Sequence, residues 1–598
     1  MSTRIYKLLK DLNIELATLE NILNILGYEP QNFMPNSVVP DDVATLIRGL
    51  YSEEIDFFKL IEIAANKLEH NKRKDTSIPP KIVGYIDLDA KKTVQHNQDV
   101  NKLKDNVSTI YPVIYSEKRS FWIKELAILS PENTVNHVTT SSFDGAETFP
   151  IYSVLIGSNG VGKSSIMKEI VDFFIDLHIC AKETEPRLSS PNKGRLKGIR
   201  YQIDGVVCEV IRLGKSYFSR INGHINNLKD LRLPSLVACH FGAFDKFPTQ
   251  KVNGSIQTKY DVPYYKYVGA HVNGNMISSS AIAFRLLFAL NEQMDSRQRQ
   301  NICSILDFIG YDHRISLSYS FVMKSKKGEN ARDVISQRVA KDWEYRNFSK
   351  QELKQKTDQL YKFYKDKTSL VETRHDYDIN FDSKQISESS FEELQCIYKL
   401  KQYNLVSSAD IIFHKQGLDI TSDEMSSGEF AMLSTVLSIS AAVDGSHTLI
   451  LFDEPELNLH PNWQMALIDN LDKALASQVC HLLISTHSHM LVSDLPMKRS
   501  SVIQLENDEK GNLNTTTISE CTYGWSAEEV LLKVFKTATD RNRYFGERIG
   551  KLLEKMGNNS INPKEVKQEL NELQEISKHL SDIDPMKSIL NTIVKTYK

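Results

Sequence analysis

The run Ile151-Tyr152-Ser153-Val154-Leu155-Ile156 leads into Gly157-Ser158-Asn159-Gly160-Val161-Gly162-Lys163-Ser164-Ser165, and then into Ile166-Met167-Lys168-Glu169-Ile170-Val171-Asp172-Phe173-Phe174. The first run is continuously apolar and predicts a buried strand. The last has apolar residues at helical spacing. Strand, glycine-rich loop and helix in this order form a cradle for phosphate. Gly157, Gly160 and Gly162 let the backbone turn tightly and aim its N–H groups at phosphate oxygens. The helix N-terminus adds partial positive charge. Lys163 can reach β- and γ-phosphates, and the Ser164 hydroxyl can ligate Mg2+. A glycine-rich turn with an incidental lysine is the plainer reading, and the flanking strand and helix weigh against it.

Three further words lie about 260 residues downstream. Met425-Ser426-Ser427-Gly428-Glu429 precedes a long helix expected over 430–443. Leu449-Ile450-Leu451-Phe452 predicts a buried strand ending in Asp453-Glu454, followed by Pro455-Glu456-Leu457-Asn458-Leu459-His460-Pro461. Asp453 is placed to hold Mg2+, directly or through water. Glu454 can polarise an attacking water as general base. A third strand, His481 to Ser485, runs into Thr486-His487-Ser488-His489, where His487 could contact a γ-phosphate. Singly, these words also read as a solvated strand end, a helix N-cap and a surface turn. Jointly, in this order, they point to nucleotide binding. Hydrolysis is a further step, because a binding-only switch needs the same cradle.

The four words resemble those of the ATP-binding-cassette ATPases, and more narrowly those of the RecF/SMC-type branch, including the ATPase subunit of the Septu antiphage system. The resemblance implies an α/β fold: a cassette-type P-loop ATPase head with a helical insertion, a small N-terminal helical module and a C-terminal helical tail. It implies ATP and Mg2+ as cofactors. Gly157, Asn159, Gly160, Gly162, Lys163, Ser164 and Ser165 would bind nucleotide, Ser164 and Asp453 the metal, and Glu454 and His487 would be catalytic. It also implies a head-to-tail sandwich, in which Ser426 and Gly428 of one copy contact the γ-phosphate held by Lys163 of the other. Departures are Met425 and Ser427 in the signature word, Glu429 as in the RecF/SMC branch, and the lack of a clear Q-loop glutamine. At the expected Q-loop place stands His240-Phe241-Gly242-Ala243-Phe244-Asp245, with His240 and Asp245 as candidates. The aromatic residue that stacks adenine is unassigned.

At 598 residues the chain exceeds one ordinary core. The expected parts are 1–75, an N-terminal helical module; 80–250, a first ATPase lobe; 251–415, a helical insertion; 416–505, a second lobe; and 506–598, a C-terminal helical region. In the first part, Ile5, Leu8, Leu9 and Leu12 make one helical face and Leu16, Leu19, Ile22, Leu23 and Leu26 a second. The words Tyr6 to Asn13 and Leu23 to Tyr28 are similar to the small N-terminal module of bacterial translation initiation factor 2. Helix is expected over 41–68 with a break at Gly49, and a charged, proline-ended linker over 69–80. Strands are expected over 82–86, 121–129 and 235–239. Those at 198–203, 206–211 and 217–221 form a meander turning at Asp204-Gly205. Helices are expected over 281–294 and 343–367, the latter rich in lysine and aromatics, then over 545–556 and 563–580. A segment Gly524-Trp525-Ser526 caps a helix with Val530, Leu531, Val534 and Phe535 on its apolar face.

Net charge is −3, so bulk charge does not announce a nucleic-acid binder; a basic, aromatic face over 343–367 could track a phosphate backbone, but Asp342, Glu344, Glu352, Asp358 and Asp366 dilute it, and a solvated helix with a tyrosine-rich packing edge is an equal reading. Seven scattered cysteines, with no CxxC pair, suggest neither a zinc site nor a disulfide framework, and fit a reducing cytoplasm. No signal-peptide core and no membrane-length apolar run is seen, so a cytoplasmic protein is expected. No cluster resembling an HNH or Toprim nuclease is seen either, so any cutting would fall to a separate polypeptide. The leading expectation is an ATPase that forms a homodimer or higher oligomer through shared ATP and gates a partner nuclease or toxin in prokaryotic antiphage defence, with nucleic acid as a further partner. A DNA-repair or DNA-end-binding ATPase and a non-hydrolytic nucleotide-dependent scaffold are the alternatives.

Overall fold

The computed structural model describes residues 2–12, 16–25, 37–51, 56–66, 115–140, 143, 150–182, 194–214, 216–242, 245–249, 259–260, 262–269, 271–272, 276–277, 296–322, 330–342, 345, 348–369, 374–382, 388–421, 423–443, 445–476, 478–518, 520–535, 550–552, 570–573 and 590–595. The expected elements at 82–86, 281–294, most of 545–556 and most of 563–580, and the linker at 69–80, lie outside the described residues.

Short strands β1 (Ser2–Arg4) and β2 (Val38–Pro40) pair antiparallel beside helices α1 (Ile5–Leu12), α2 (Leu16–Ile25) and α3 (Asp41–Tyr51). Then come β3 (Phe121–Leu129), β4 (Val135–Thr139), β5 (Ile151–Gly157), α4 (Lys163–Lys182), β6 (Leu196–Ile203), β7 (Val206–Leu213), β8 (Ser216–Ile221), β9 (His224–Asn226), β10 (Ser235–His240), β11 (Tyr265–Gly269), β12 (His271–Val272) and β13 (Met276–Ile277). After these, α5 (Ser296–Ile309), β14 (Arg314–Phe321), α6 (Ala331–Lys341), α7 (Lys350–Thr368), β15 (His375–Asn380), α8 (Glu388–Gln402), β16 (Val406–Lys415) and β17 (Leu418–Thr421) build the insertion. The chain returns through α9 (Ser427–Ala442), β18 (Thr448–Asp453), α10 (Pro461–Ala474), β19 (Cys480–Ser485), α11 (His489–Ser493), β20 (Ser500–Asn507), β21 (Leu513–Ile518) and α12 (Ala527–Lys533).

The central sheet runs β11-β10-β18-β19-β5-β20-β21, parallel throughout except for the edge hairpin β20–β21. Its inner strands are buried on both faces: every residue of β18 and β19 is buried. That is the signature of a parallel sheet covered on two sides, and it is why these segments read as unbroken apolar runs. A second, antiparallel sheet runs β4-β3-β6-β7-β8-β9. Asp204 and Gly205 turn β6 into β7 with φ of 49° and 78°, as a two-residue hairpin requires. Helix α4 is sandwiched between the sheets. Met167, Ile170, Phe173, Phe174 and Leu177 share one core with Ile199 and Tyr201 of the antiparallel sheet and Leu236 and Leu449 of the parallel one. His481 ties the sheets together: its Nδ1 accepts from the Ile123 N–H at 3.0 Å and its Nε2–H donates to Ser153 Oγ at 2.9 Å. Arg499 binds Asp472 through both guanidinium nitrogens, at 2.8 and 2.9 Å, and the Pro150 carbonyl, so it fixes the entry of β5 against α10.

Several expectations need correction. Helix α3 runs through Gly49 without a break, because Gly49 is buried and its carbonyl accepts from the Arg220 guanidinium. The N-terminal helices, expected as a helical module, share a core with Ala127, Ile211 and Leu213 of the antiparallel sheet, which is no departure from that expectation. The insertion adds to its helices a four-stranded antiparallel sheet, β15-β14-β16-β17. Its basic helix starts at Lys350, where Ser349 and Glu352 form a capping box, and not at Trp343. There Lys367 pairs with Glu393, which neutralises part of that charge, while the helix's own Asp358 pairs with Arg332 of α6. The β20–β21 hairpin carries the sheet past 505 to Ile518. The chain divides into compact units Met1–Gly524 and Trp525–Lys598. In the second, Ser526 caps α12 and Val530 and Val534 are buried. Among the described residues no helix is long and apolar enough to cross a membrane.

Candidate functional site

The loop Gly157–Gly162 leaves β5 at the C-terminal edge of the parallel sheet and hands over to α4, where open α/β sheets bind ligands. Two glycines are demanded by geometry. A Cβ on Gly157 would strike the carbonyl oxygen of Leu505, its partner on β20. Gly162 has φ +107°, which side chains rarely adopt, and the Arg195 guanidinium stands 3.2 Å from where its Cβ would be. Asn159 and Gly160 are exposed at the loop crest. The Lys163 ammonium donates to the carbonyls of Gly157 (2.8 Å) and Ser158 (3.3 Å) and lies 2.8 Å from His487 Nε2. Burial pushes its pKa down, against the opposing pull of the Asp453, Glu454 and Glu456 carboxylates. Burial and the Lys163 charge likewise push His487 down, so its imidazole accepts the lysine's hydrogen bond in neutral form. Ser164 stands in the first turn of α4, and Ser165 Oγ accepts from Lys246 at 3.1 Å.

The strand register places the acids. Asp453 pairs with Ser485 across β18 and β19, and Ser485 Oγ donates to Asp453 Oδ1 at 2.6 Å. Asp453 is 3% exposed, so its carboxylate is held rather than solvated. Glu454 takes φ +50° and its N–H bonds the Ser485 carbonyl at 2.8 Å, which turns the chain sharply off the strand. His240, at the expected Q-loop place, puts Nδ1 3.0 Å from the Asp453 carbonyl and 4.0 Å from its carboxylate. Its buried Nε2 has no hydrogen-bond partner. Asp245 instead accepts from the Tyr267 hydroxyl and the Phe247 N–H. Of the two candidates, His240 is seen to reach the acidic strand end.

The structure brings together Lys163, Asp453, Glu454 and His487. Ser426 and Gly428 are grouped with Asn458, His460 and Trp463, in the turn and helix that follow the acids. Ser426 caps α9 in a box with Glu429, whose carboxylate also takes a 3.1 Å bond from Lys415. Burial opposes ionisation of Glu429, but the Ser426 and Lys415 hydrogen bonds outweigh it and hold the carboxyl below its ordinary range. Ser426 and Ser427 are exposed, and with Gly428 they line a surface depression shared with Asn458, His460 and Trp463. Gly428 packs so closely on Trp463 that a Cβ would sit 3.0 Å from its ring.

The sequence did not disclose the parts of Ser485, Trp463 and Glu456. Glu456 accepts from Thr486 Oγ1 and from the His487 N–H, both at 2.7 Å. A second acid two residues past Glu454, in a turn with no charge to answer it locally, was the only available sign.

Fold and site together give an α/β protein whose glycine loop, lysine and acidic strand end gather at the carboxyl edge of a parallel sheet. Residues 312–494 match the family described as "AAA domain, putative AbiEii toxin, Type IV TA system". A 72-residue stretch is 36% identical to protein ea59 of Escherichia phage lambda; that match takes in 12% of this chain and only 14% of ea59. Among solved structures, the chain is similar to an Smc head bound to the C-winged helix domain of ScpA, at 12% identity over 67% of this chain and 98% of that one, with a TM-score of 0.28. It is similar to the SMC head domain from Thermotoga maritima at 11% identity over 67% and 99%, with a TM-score of 0.26.

Proposed function

We propose that this protein binds and hydrolyses ATP with Mg2+ between two copies of itself, and that opening and closing of the pair gates a partner nuclease or toxin in cytoplasmic antiphage defence. One observation supports the pairing: Lys163 and His487 meet at the P-loop, while the Ser426–Gly428 helix start is open to a partner beside a surface depression. That helix start carries partial positive charge that can draw a phosphate, beside the Glu429 carboxylate that already takes the Ser426 N–H. In the reaction, Ser164 and Asp453 would hold the metal, which would neutralise phosphate charge. Glu454 would align and deprotonate water, His487 would leave Lys163 for the γ-phosphate, and Lys163 would exchange the Gly157 and Ser158 carbonyls for phosphate oxygens. The defence role draws its support from the toxin–antitoxin wording of the matching family and the similarity to a phage protein.

The test uses the full chain with Glu454→Gln, which retains shape but removes the base. Sedimentation should show pairing with ATP and Mg2+. A Ser426→Ala, Gly428→Asp variant mixed with Lys163→Ala should recover one composite site where neither pairs alone. A chain that stays monomeric at saturating ATP overturns the pairing. An affinity isolation from its native host that returns no nuclease or toxin, with unchanged phage sensitivity on deletion, overturns the defence role.

A further inference from the structure

We propose that Cys303, His313 and Asp382 form a binding site for a divalent transition-metal ion, zinc by ligand chemistry, with Asp307 as the outer partner that orients His313. Cysteine spacing alone suggests no zinc site; the fold assembles one from three separate segments. One ligand atom from each of the three residues lies within 4.8 Å of the others. Cys303 and Asp307 are one turn apart on the same face of α5. His313 stands in the turn before β14, and Asp382 just after β15, the strand paired with β14.

The backbone holds these positions by itself. The Tyr311 N–H bonds the Leu306 carbonyl to close α5, and Gly310 turns with φ +82°. The Asp312 N–H bonds the His414 carbonyl at 2.7 Å, and the Phe381 N–H bonds the His313 carbonyl at 3.0 Å. The Asp382 N–H bonds Asn380 Oδ1 at 2.9 Å. The ligands are thus presented on a fixed frame, which lowers the entropic cost of capture.

The imidazole decides between readings. Its Nδ1 lies 2.7 Å from Asp382 Oδ1, and its Nε2 lies 2.9 Å from Asp307 Oδ1. A carboxylate that takes the Nε2–H fixes the tautomer and leaves Nδ1 free to ligate, the arrangement found behind metal-bound histidines. The ion then sits between Nδ1, Asp382 and the Cys303 sulfur, in the place a proton takes when His313 merely bridges two aspartates. Thiolate with imidazole and carboxylate suits zinc or cobalt. Magnesium and calcium take oxygen sets. Three protein ligands leave a position for water, which the exposure of Asp382 allows. Helix α5 packs on α9 and α10, the helices that follow the signature word and the acidic strand end. A metal here would staple the insertion sheet to the helix backing the signature.

The alternative is an ion-pair clamp of protonated His313 with two aspartates, in which Cys303 has no part. The experiment titrates the chelator-treated, nucleotide-free full chain with Co2+ and reads the near-ultraviolet thiolate-to-cobalt band. One equivalent with the band is expected. It should be lost in Cys303→Ser, kept in Cys521→Ser, and kept in Asp307→Asn with affinity reduced about 10- to 100-fold. Nucleotide binding reports folding of each variant. Should Cys303→Ser fail to fold, the exposed Asp382→Asn carries the test, with at least about tenfold weaker cobalt binding expected. No band in the parent chain, a band that survives Cys303→Ser, or unchanged affinity in Asp382→Asn overturns the site.

Discussion

The Glu456 carboxylate bonds the His487 backbone N–H at 2.7 Å, with the Thr486 hydroxyl on its other oxygen at the same distance. The turn after the acidic strand end therefore holds His487 in place and joins it mechanically to the strand end that carries Asp453 and Glu454. Burial raises the Glu456 pKa, while the two donors pull the other way and favour the ionised form.

Glu456→Gln preserves size but weakens a charge-assisted bond worth about 1.5–3 kcal/mol. Turnover of ATP should fall about 10-fold or more, with ATP affinity little altered, because Lys163 and the loop N–H groups are untouched. Equal loss in kcat and in nucleotide affinity would show that Glu456 merely supports the fold.

Gly157→Ala should cost more than about 3 kcal/mol and abolish nucleotide binding, since the new methyl meets the Leu505 carbonyl of a paired strand that cannot step aside. Gly160→Ala, whose Cβ meets nothing within 4 Å, should cost about 1–2 kcal/mol for its positive φ alone. Urea unfolding of the two variants distinguishes them.

Acid should loosen the joint between the sheets. His481 is fully buried and burial lowers its pKa to about 3. The unfolded chain binds a proton near pH 6.5 that the folded chain refuses, so stability rises with pH across this window. It is whole above about pH 6.5 and is lost progressively as pH falls towards 3, by on the order of 4–5 kcal/mol. His178, lowered to about 4 by burial, acts with the same sign. In urea unfolding from pH 7 to 4, the gap between the parent and a less stable His481→Gln variant should close as pH falls. A constant gap would assign the acid sensitivity elsewhere.

His240→Ala removes the ring beside Asp453 and a bond worth about 1 kcal/mol. Nucleotide binding in the presence of a chelator should be unchanged. The Mg2+ needed for half-maximal turnover should rise about 5- to 10-fold. Unaltered Mg2+ dependence would mean that His240 only fills space.

Local order was legible in the chain because it depends on neighbours in sequence. The apolar runs at 151–156, 449–452 and 481–485 are strands since a parallel core strand is buried on both faces, and the Asp204-Gly205 turn follows from two residues tolerating positive φ. The glycine loop, its lysine and the two acids are likewise short words with one mechanical use. Gly49 misled because the Arg220 contact that steadies its helix comes from 171 residues away.

What the sequence alone determined was thus the local elements, strand, glycine loop and helix, and the order in which the candidate phosphate-binding words follow one another. Only tertiary structure decided that Ser485 holds Asp453, that Glu456 holds His487, that His240 reaches Asp453, and that Cys303, His313 and Asp382 meet. Each is a contact between segments whose approach is set by strand register and helix packing. A linear pattern can state which side chains are available, but the distance between them exists only once the core has closed.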